Sequence, residues 1–365
     1  MTSIEICLHS LIKIFCMIYF QKLQSGKWIF LILIVSIAIA SCKKETTNSA
    51  TAFNEKLSTA NEVVLPPPII GWGRGPDIPI VDQQGYPVNG DAYAFAFAIG
   101  GKGYIGGGYV YPQHARPTWQ YDTLTRTWSQ VANFPGANDV EAATFVIGKL
   151  AYVCTGGQHG SHENWQYSQL TNVWTRVADF PGANRIGAVG VAINGKGYVG
   201  LGANTDIGGD LKDWWEYDPS INTWTRKNDF SGTERNYGVA FAINEKGYVA
   251  TGHHWNGLDN YYNDLWQYNP VNDKWVQKAD MPGYGRWYAV GVNAFINNGV
   301  VATGRSGTTI LNDCWEYFPS SNSWFQLPNV GGGPRSGAAA FAIGNTLYIG
   351  TGGISNDFWG LTINP

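Results

Sequence analysis

A Trp-x-Tyr pair followed by a second tryptophan, nine residues after the first, occurs five times: Trp119/Tyr121/Trp128, Trp165/Tyr167/Trp174, Trp215/Tyr217/Trp224, Trp266/Tyr268/Trp275 and Trp315/Tyr317/Trp324. The leading tryptophans stand 46, 50, 51 and 49 residues apart, and a sixth, Trp359, follows 44 residues later. A period near fifty marks a repeat array in which each copy is one supersecondary unit. Alignment of the copies exposes an apolar run seventeen residues after each closing tryptophan, at Phe145, Val191, Phe241 and Phe341, with a one-residue slip to Asn293 in the fifth copy. Seven residues further comes a Gly-Tyr-Val type step at Tyr104, Tyr152, Tyr198, Tyr248 and Tyr348, with Val300 in the fifth, and glycines follow at once.

Each unit therefore reads as four short strands, of the types FAI, GYVG, WEY and WTR, bounded by Gly, Asn, Asp or Pro. The glycines after the second strand mark a place where only a residue without a Cβ can turn or admit another backbone. One such sheet is too thin to bury its own faces. Stacked around an axis, the sheets cover one another, and the expected fold is an all-β propeller of six blades with four antiparallel strands each. Indoles filling the gaps between blades would each bury roughly 150–250 Å².

The apolar strand, the Gly-Gly, the following aromatic and the spaced tryptophan resemble the kelch motif, from about Ile69 to the C-terminus. The resemblance implies a propeller and carries no particular activity, because the motif records packing. The last copy stops after its third strand, whereas WGRGPDIP at Trp72 to Pro79 matches WTRVADFP at Trp174 to Pro181. An N-terminal strand is thus expected to complete the sixth blade, with IVDQQGYP from Ile80 as an insertion in the closing loop.

The remaining organisation follows from composition. Trp28 to Ala40 is an apolar run of 13 residues flanked by Lys22 and Lys27, too short to span a bilayer and suited to a signal peptide. It ends in Ile39-Ala40-Ser41-Cys42, which resembles a bacterial lipobox and implies lipidation of Cys42; Met17 gives a more ordinary signal length than Met1. The expected organisation is a lipoprotein signal at 1–41, a polar then proline-rich tether at 42–68 and the ring at 69–365, with envelope localisation at the outer membrane. Removal of 1–41 takes three of 24 basic and one of 27 acidic side chains, so the mature charge is 21 − 26 = −5. A nucleic-acid partner, which would want a basic face, is not expected. Membrane contact is expected only through the lipid, and the ring is expected to be a monomer. Cys154 and Cys314 fall in strands on opposite blades and should neither pair nor react.

In an up-and-down blade the 2–3 and 4–1 loops share one face, here called the mouth face. Its loops vary, whereas the 1–2 and 3–4 turns are short and alike, so binding is expected at the mouth face. An arginine recurs four residues past the proline position at Arg185, Arg235, Arg286 and Arg335, with Asp139 in the corresponding place once. Two readings are open. The guanidinium groups converge on the channel mouth to hold a carboxylate or phosphate, or each pairs with the aspartate before strand three, Asp213, Asp264, Asp313 and Asp357. Aromatic residues crowd the loops of blades three and four: Trp214, Tyr237, Trp255, Tyr261, Tyr262, Tyr284, Trp287 and Tyr288. Such side chains serve sugar rings and protein partners equally. His114, His159, His162, His253 and His254 lie in the 2–3 loops without the shared spacing of a metal site, and no metal or cofactor is expected.

Three functions compete. The favoured one is a non-catalytic module that binds a glycan or a surface protein through Arg185, Arg235, Arg286, Arg335, Trp255, Trp287, Tyr237 and Tyr288. The second follows from a similarity in plan to bacterial sialic acid mutarotases: arginines hold the carboxylate of an acidic sugar while Glu141, Glu163 or Glu234 moves a proton. The third, a copper radical oxidase of the galactose oxidase type, needs a tyrosine crosslinked to a cysteine, and both retained strand cysteines sit in the framework.

Overall fold

The computed structural model describes residues 69–80, 92–110, 113–114, 117–295, 297–353 and 355–363. The expected signal segment with Cys42, the expected tether and nearly all of the IVDQQGYP insertion lie outside these residues. Pro67–Pro365 is one compact unit. Among the described residues there is no helix, and six four-stranded antiparallel sheets form a propeller.

Blade 1 is built from Phe95–Ile99, Lys102–Gly106, Thr118–Asp122 and Thr127–Val131, and blade 3 from Val189–Ile193, Lys196–Gly200, Trp214–Asp218 and Thr223–Lys227. Blades 2, 4 and 5 repeat the same order of pairing. In blade 6 the first and last described strands meet. Ile69–Arg74 lies beside Phe358–Ile363, with Trp72 opposite Leu361 and Arg74 opposite Trp359, so the N-terminal strand is the outer strand of the last blade.

The innermost strands show why the sequence alternates as it does. Val189, Val191 and Ile193 are buried between blades, while Gly190 and Ala192 point the other way. A period of two places every second side chain on the axis. Those axial positions are almost all Ala or Gly, and they line a central channel of about 180 Å³ that includes Ala94, Ala142, Ala188, Gly238, Ala289 and Ala338. Larger side chains there would collide around the axis. The fifth blade keeps this register. Val292 sits opposite Val300, and the additional residue lies in the 1–2 turn between Ala294 and Asn298, so the slip expected at Asn293 is a longer turn and not a shifted strand.

The closing tryptophans hydrogen-bond a blade to its predecessor everywhere but in blade 4, where Trp275 Nε1 is buried without a partner among the described residues. Trp174 Nε1 donates to Ala132 O at 3.1 Å, Trp224 to Ala178 O at 2.9 Å and Trp324 to Ala279 O at 2.8 Å. Trp72 donates to Pro328 O at 2.9 Å, and Trp128 to Pro76 O at 3.1 Å, so the N-terminal strand obeys the same rule on both sides. Between the sheets, Phe180 meets Trp224 edge-on at 5.2 Å, and Phe230 meets Trp275 at 5.0 Å. Such contacts stabilise beyond the area they bury. Trp214 belongs to this core. Expected in a loop, it opens strand three of blade 3 and is fully buried against Tyr268 and Trp275.

Candidate functional site

The second strand of each blade is followed by two residues of positive φ, such as Leu201 (61°) with Gly202 (97°) and Thr251 (61°) with Gly252 (110°). The glycine approaches the next blade closely: Gly202 N donates to Arg235 O at 2.8 Å, and Gly252 N to Arg286 O at 2.7 Å. A Cβ on Gly202 would stand 2.7 Å from Ile186 O. The recurring arginine is therefore placed where two blades meet.

Its side chain turns away from the axis. Arg185 is fully buried; Nη1 and Nη2 reach Asp213 at 2.6 and 2.8 Å, Nη1 also reaches Leu201 O at 3.0 Å, and Nε reaches Ala183 O at 3.0 Å. Arg235 with Asp264, Arg286 with Asp313 and Arg335 with Asp357 repeat the two-pronged pair. The same aspartates accept the leading indole, as in Trp215 Nε1 to Asp213 Oδ2 at 2.7 Å. Burial alone would raise the Asp213 carboxyl, but the hydrogen bonds and charge of Arg185 hold it below the usual carboxylate range, and the same holds for Asp313 and Asp357. The four guanidinium groups do not converge at the channel mouth: apart from Arg335 Nε, which is buried without a hydrogen-bond partner among the described residues, their donors are committed within their own blades, and the pairing reading describes them. Where Asp139 replaces the arginine, Glu163 takes the aspartate's place and accepts from Ala137 N, Trp165 Nε1 and Arg176.

What reaches the mouth is the residue two positions before each innermost strand. These are Tyr93, Glu141, Gly187, Tyr237, Tyr288 and Gly337, and all six have positive φ, between 50° and 69°. Their backbones link blade to blade. Tyr237 N donates to Gly187 O, Gly187 N to Glu141 O, Glu141 N to Tyr93 O, Tyr93 N to Gly337 O and Gly337 N to Tyr288 O, at 2.8 to 3.2 Å. The two glycines leave room for neighbouring rings, because a Cβ on Gly187 would stand 2.6 Å from Tyr237 and one on Gly337 2.7 Å from Tyr93.

The four side chains roof the channel. Tyr237 donates to Glu141 Oε2 at 2.7 Å, and the Tyr288 hydroxyl stands 3.5 Å from Oε1. Glu141 belongs to blade 2 and Tyr288 to blade 5, on opposite sides of the ring, so this contact spans the mouth. Tyr288 also touches Tyr237 at 4.1 Å and Tyr93 at 4.8 Å between ring centroids. Burial raises the Glu141 carboxyl above its usual range, partly offset by the two hydroxyls, and burial also raises Tyr93, Tyr237 and Tyr288. A raised carboxyl keeps its acid form to higher pH than an ordinary one, which suits a group that donates as well as accepts a proton.

Beside the roof, Trp287 packs on Tyr288 at 4.4 Å and on His253 at 4.7 Å, with Tyr261 adjoining. Trp287 Nε1 and His253 Nδ1 are buried without a hydrogen-bond partner among the described residues. Arg305 lies 5.7 Å over the Trp287 ring, and its Nε donates to Gly307 O at 3.0 Å. Of the described arginines, only Arg126 and Arg305 have no carboxylate partner within ion-pair distance. Sequence reasoning passed over both Arg305 and Tyr93. Tyr93 follows the insertion that displaces the alignment, and Arg305 has no counterpart in other blades.

The other predicted residues separate. Trp255 is 59% exposed at the tip of the His253–Trp255 hairpin, and Tyr284 is exposed as well. Tyr262 covers the Arg235 guanidinium at 4.0 Å and is structural. His254 binds Asp210 at 2.9 Å, His253 binds Asp259 at 2.7 Å and His162 meets Phe180 O at 2.9 Å, so these rings shape loops. Among the described residues no three His, Cys, Asp or Glu side chains come together as metal ligands. Cys154 and Cys314 are fully buried and burial raises both thiols, as expected of inert framework positions. No protein-family model matches the chain, and no curated protein matches it.

Proposed function

We propose that this chain is a kelch-type propeller of the bacterial cell envelope, held by a lipid on Cys42, that binds a glycan or a surface protein at its mouth face. The observation that carries this reading is the cluster of Tyr93, Tyr237, Tyr288 and Trp287 around Glu141. It offers flat aromatic faces, a carboxyl and hydroxyls in one place, the combination that recognises a ring bearing hydroxyl groups. The partnerless Trp287 Nε1 and His253 Nδ1 support it, since a buried polar group is costly until something pairs with it. Exposed Ile207, Trp255, Leu258 and Tyr284 stand around this cluster as a rim that a larger partner would meet.

The test is a glycan array and a surface-protein pull-down with the full chain, repeated with Trp287→Ala and Trp255→Ala. Loss of a bound species with Trp287→Ala supports the site; undiminished binding by both variants removes it. A second reading, exchange of the anomers of an acidic sugar, is favoured by the raised carboxyl of Glu141 and the unpaired Arg305. NMR exchange spectroscopy with N-acetylneuraminic acid decides it, and a rate equal to buffer, or one unchanged by Glu141→Gln, ends it.

A further inference from the structure

The 1–2 and 3–4 turns form the opposite face. Thr123 Oγ1 lies 3.5 Å from Gly101 O, and a Cβ on Gly100 would meet the Gln169 amide of the next blade at 2.5 Å, so the two kinds of turn adjoin. In blades 1, 2 and 4 the same position of the 3–4 turn carries a largely exposed apolar side chain, and in blade 3, where that position is Ser220, the next residue does. Leu124 is 92% exposed, Leu170 93%, Ile221 67% and Val271 83%. Equivalent turns of a rotational array stand at one height along its axis, so the four turns that carry these tips share a plane.

The tips are held rigidly. Asp122 accepts from Leu124 N at 2.8 Å and Asn269 from Val271 N at 3.1 Å, and in blade 3 Asp218 accepts at 2.9 Å from the N–H of Ser220, the residue before Ile221. Basic residues accompany them. The 1–2 and 3–4 turns and adjoining strand ends of these blades hold six basic side chains against four acidic ones, on a chain whose formal charge is −3. Lys102 and Lys196 neutralise Asp122 and Asp218, leaving Arg126, Lys149, Lys246 and Lys274 against Glu245 and Asp273. The chain also enters the ring here: Ile69 pairs with Ile363, the end of strand three from which a 3–4 turn leaves in other blades. The start of the outer strand of blade 6 therefore lies at this face.

We propose that this face rests on a lipid surface, with Leu124, Leu170, Ile221 and Val271 entering the headgroup layer and the surplus lysines meeting anionic phosphates. Isolated apolar points, one per blade and separated by polar neighbours, lack the contiguous area of roughly 1,000 Å² that a stable protein interface needs. They suit a fluid surface that closes around each tip, and basic companions strengthen contact with anionic lipid. The mouth then faces away from the membrane.

Hydrogen exchange by mass spectrometry on the full chain, with and without phosphatidylglycerol–phosphatidylethanolamine vesicles, tests this site by site. Exchange at 123–126, 169–172, 220–222 and 270–273 should slow at least fivefold with vesicles, while 254–258 and 283–287 stay unchanged. The variant Leu124→Asp/Leu170→Asp/Ile221→Asp/Val271→Asp, altered only at exposed positions, should keep its melting temperature and lose that protection. Protection that is absent, that falls on the mouth face, that survives in the variant, or that appears without vesicles together with a doubled mass in sedimentation overturns the proposal, the last in favour of a second copy.

Discussion

Blade 3 contains two Arg–Asp pairs, one buried and two-pronged and one exposed with a single bond, and they permit a test of what the repeated arginine does. Arg185 is 0% and Asp213 13% exposed at the side chain, whereas Arg226 and Asp229 are 56% and 41% exposed. Asp213→Ala leaves a buried guanidinium holding only the Ala183 and Leu201 carbonyls, and leaves the Trp215 N–H without its acceptor. Breaking one side of a buried pair costs about 3–5 kcal/mol, whereas an exposed pair contributes roughly 0–1 kcal/mol. For a ring of roughly 300 residues, about 2.1 cal/mol/K per residue gives an unfolding entropy near 0.6 kcal/mol/K, so Asp213→Ala should lower Tm by about 5–8 °C. Asp229→Ala should lower it by less than about 2 °C. The double change Arg185→Met/Asp213→Leu, which removes both charges, should recover most of the loss. The pH dependence has a fixed sign. Because the Asp213 carboxyl is held below its unfolded value, its contribution is present above that value and disappears as pH falls through the folded one, so the deficit of the alanine variant must shrink in acid. Thermal melts followed by tryptophan fluorescence suffice. Equal effects of Asp213→Ala and Asp229→Ala would refute the claim that the arginines are interior clasps.

Two further outcomes concern the roof. Glu141 has a raised carboxyl, so the native state favours its protonated form and loses stability as pH rises from the unfolded to the folded value. Glu141→Gln should therefore melt at the same temperature as the parent near pH 4 and above it near pH 8; an equal melt at both would show the carboxyl to be unstrained. Gly187→Ala should cost more than the ~1 kcal/mol of left-handed backbone, because its Cβ would collide with Tyr237, while Gly333→Ala, with open space around it, should cost only the backbone share. Urea titration of the pair distinguishes them.

Strand framework and closure were legible because they rest on period and packing. The tryptophan frame recurs without exception in five copies, and the match of WGRGPDIP to WTRVADFP survives as the indole bond from Trp72 to the preceding blade. The pairing of Arg with Asp was legible as one of two options, since both recur at fixed offsets. The choice between them depends on side-chain direction, which spacing does not carry: the arginine's loop runs back under the 2–3 loop before the strand begins. The mouth residues were partly hidden for a different reason. Positive φ is usually flagged by glycine, and four of the six positions hold Tyr or Glu, which adopt that backbone only because the ring of neighbouring blades enforces it. In the sequence Tyr237 and Tyr288 stand out by their chemistry alone, and Glu141 is one acid among three.

The belt of backbone bonds at the mouth has a mechanical consequence. It is fastened at five seams, and at the sixth, between blades 4 and 5, the Tyr237 and Tyr288 rings lie in contact where no such bond joins their main chains. A hoop tied everywhere but one place gives at that place, so the cleft between these two rings is where the mouth can widen at the least cost to the girdle.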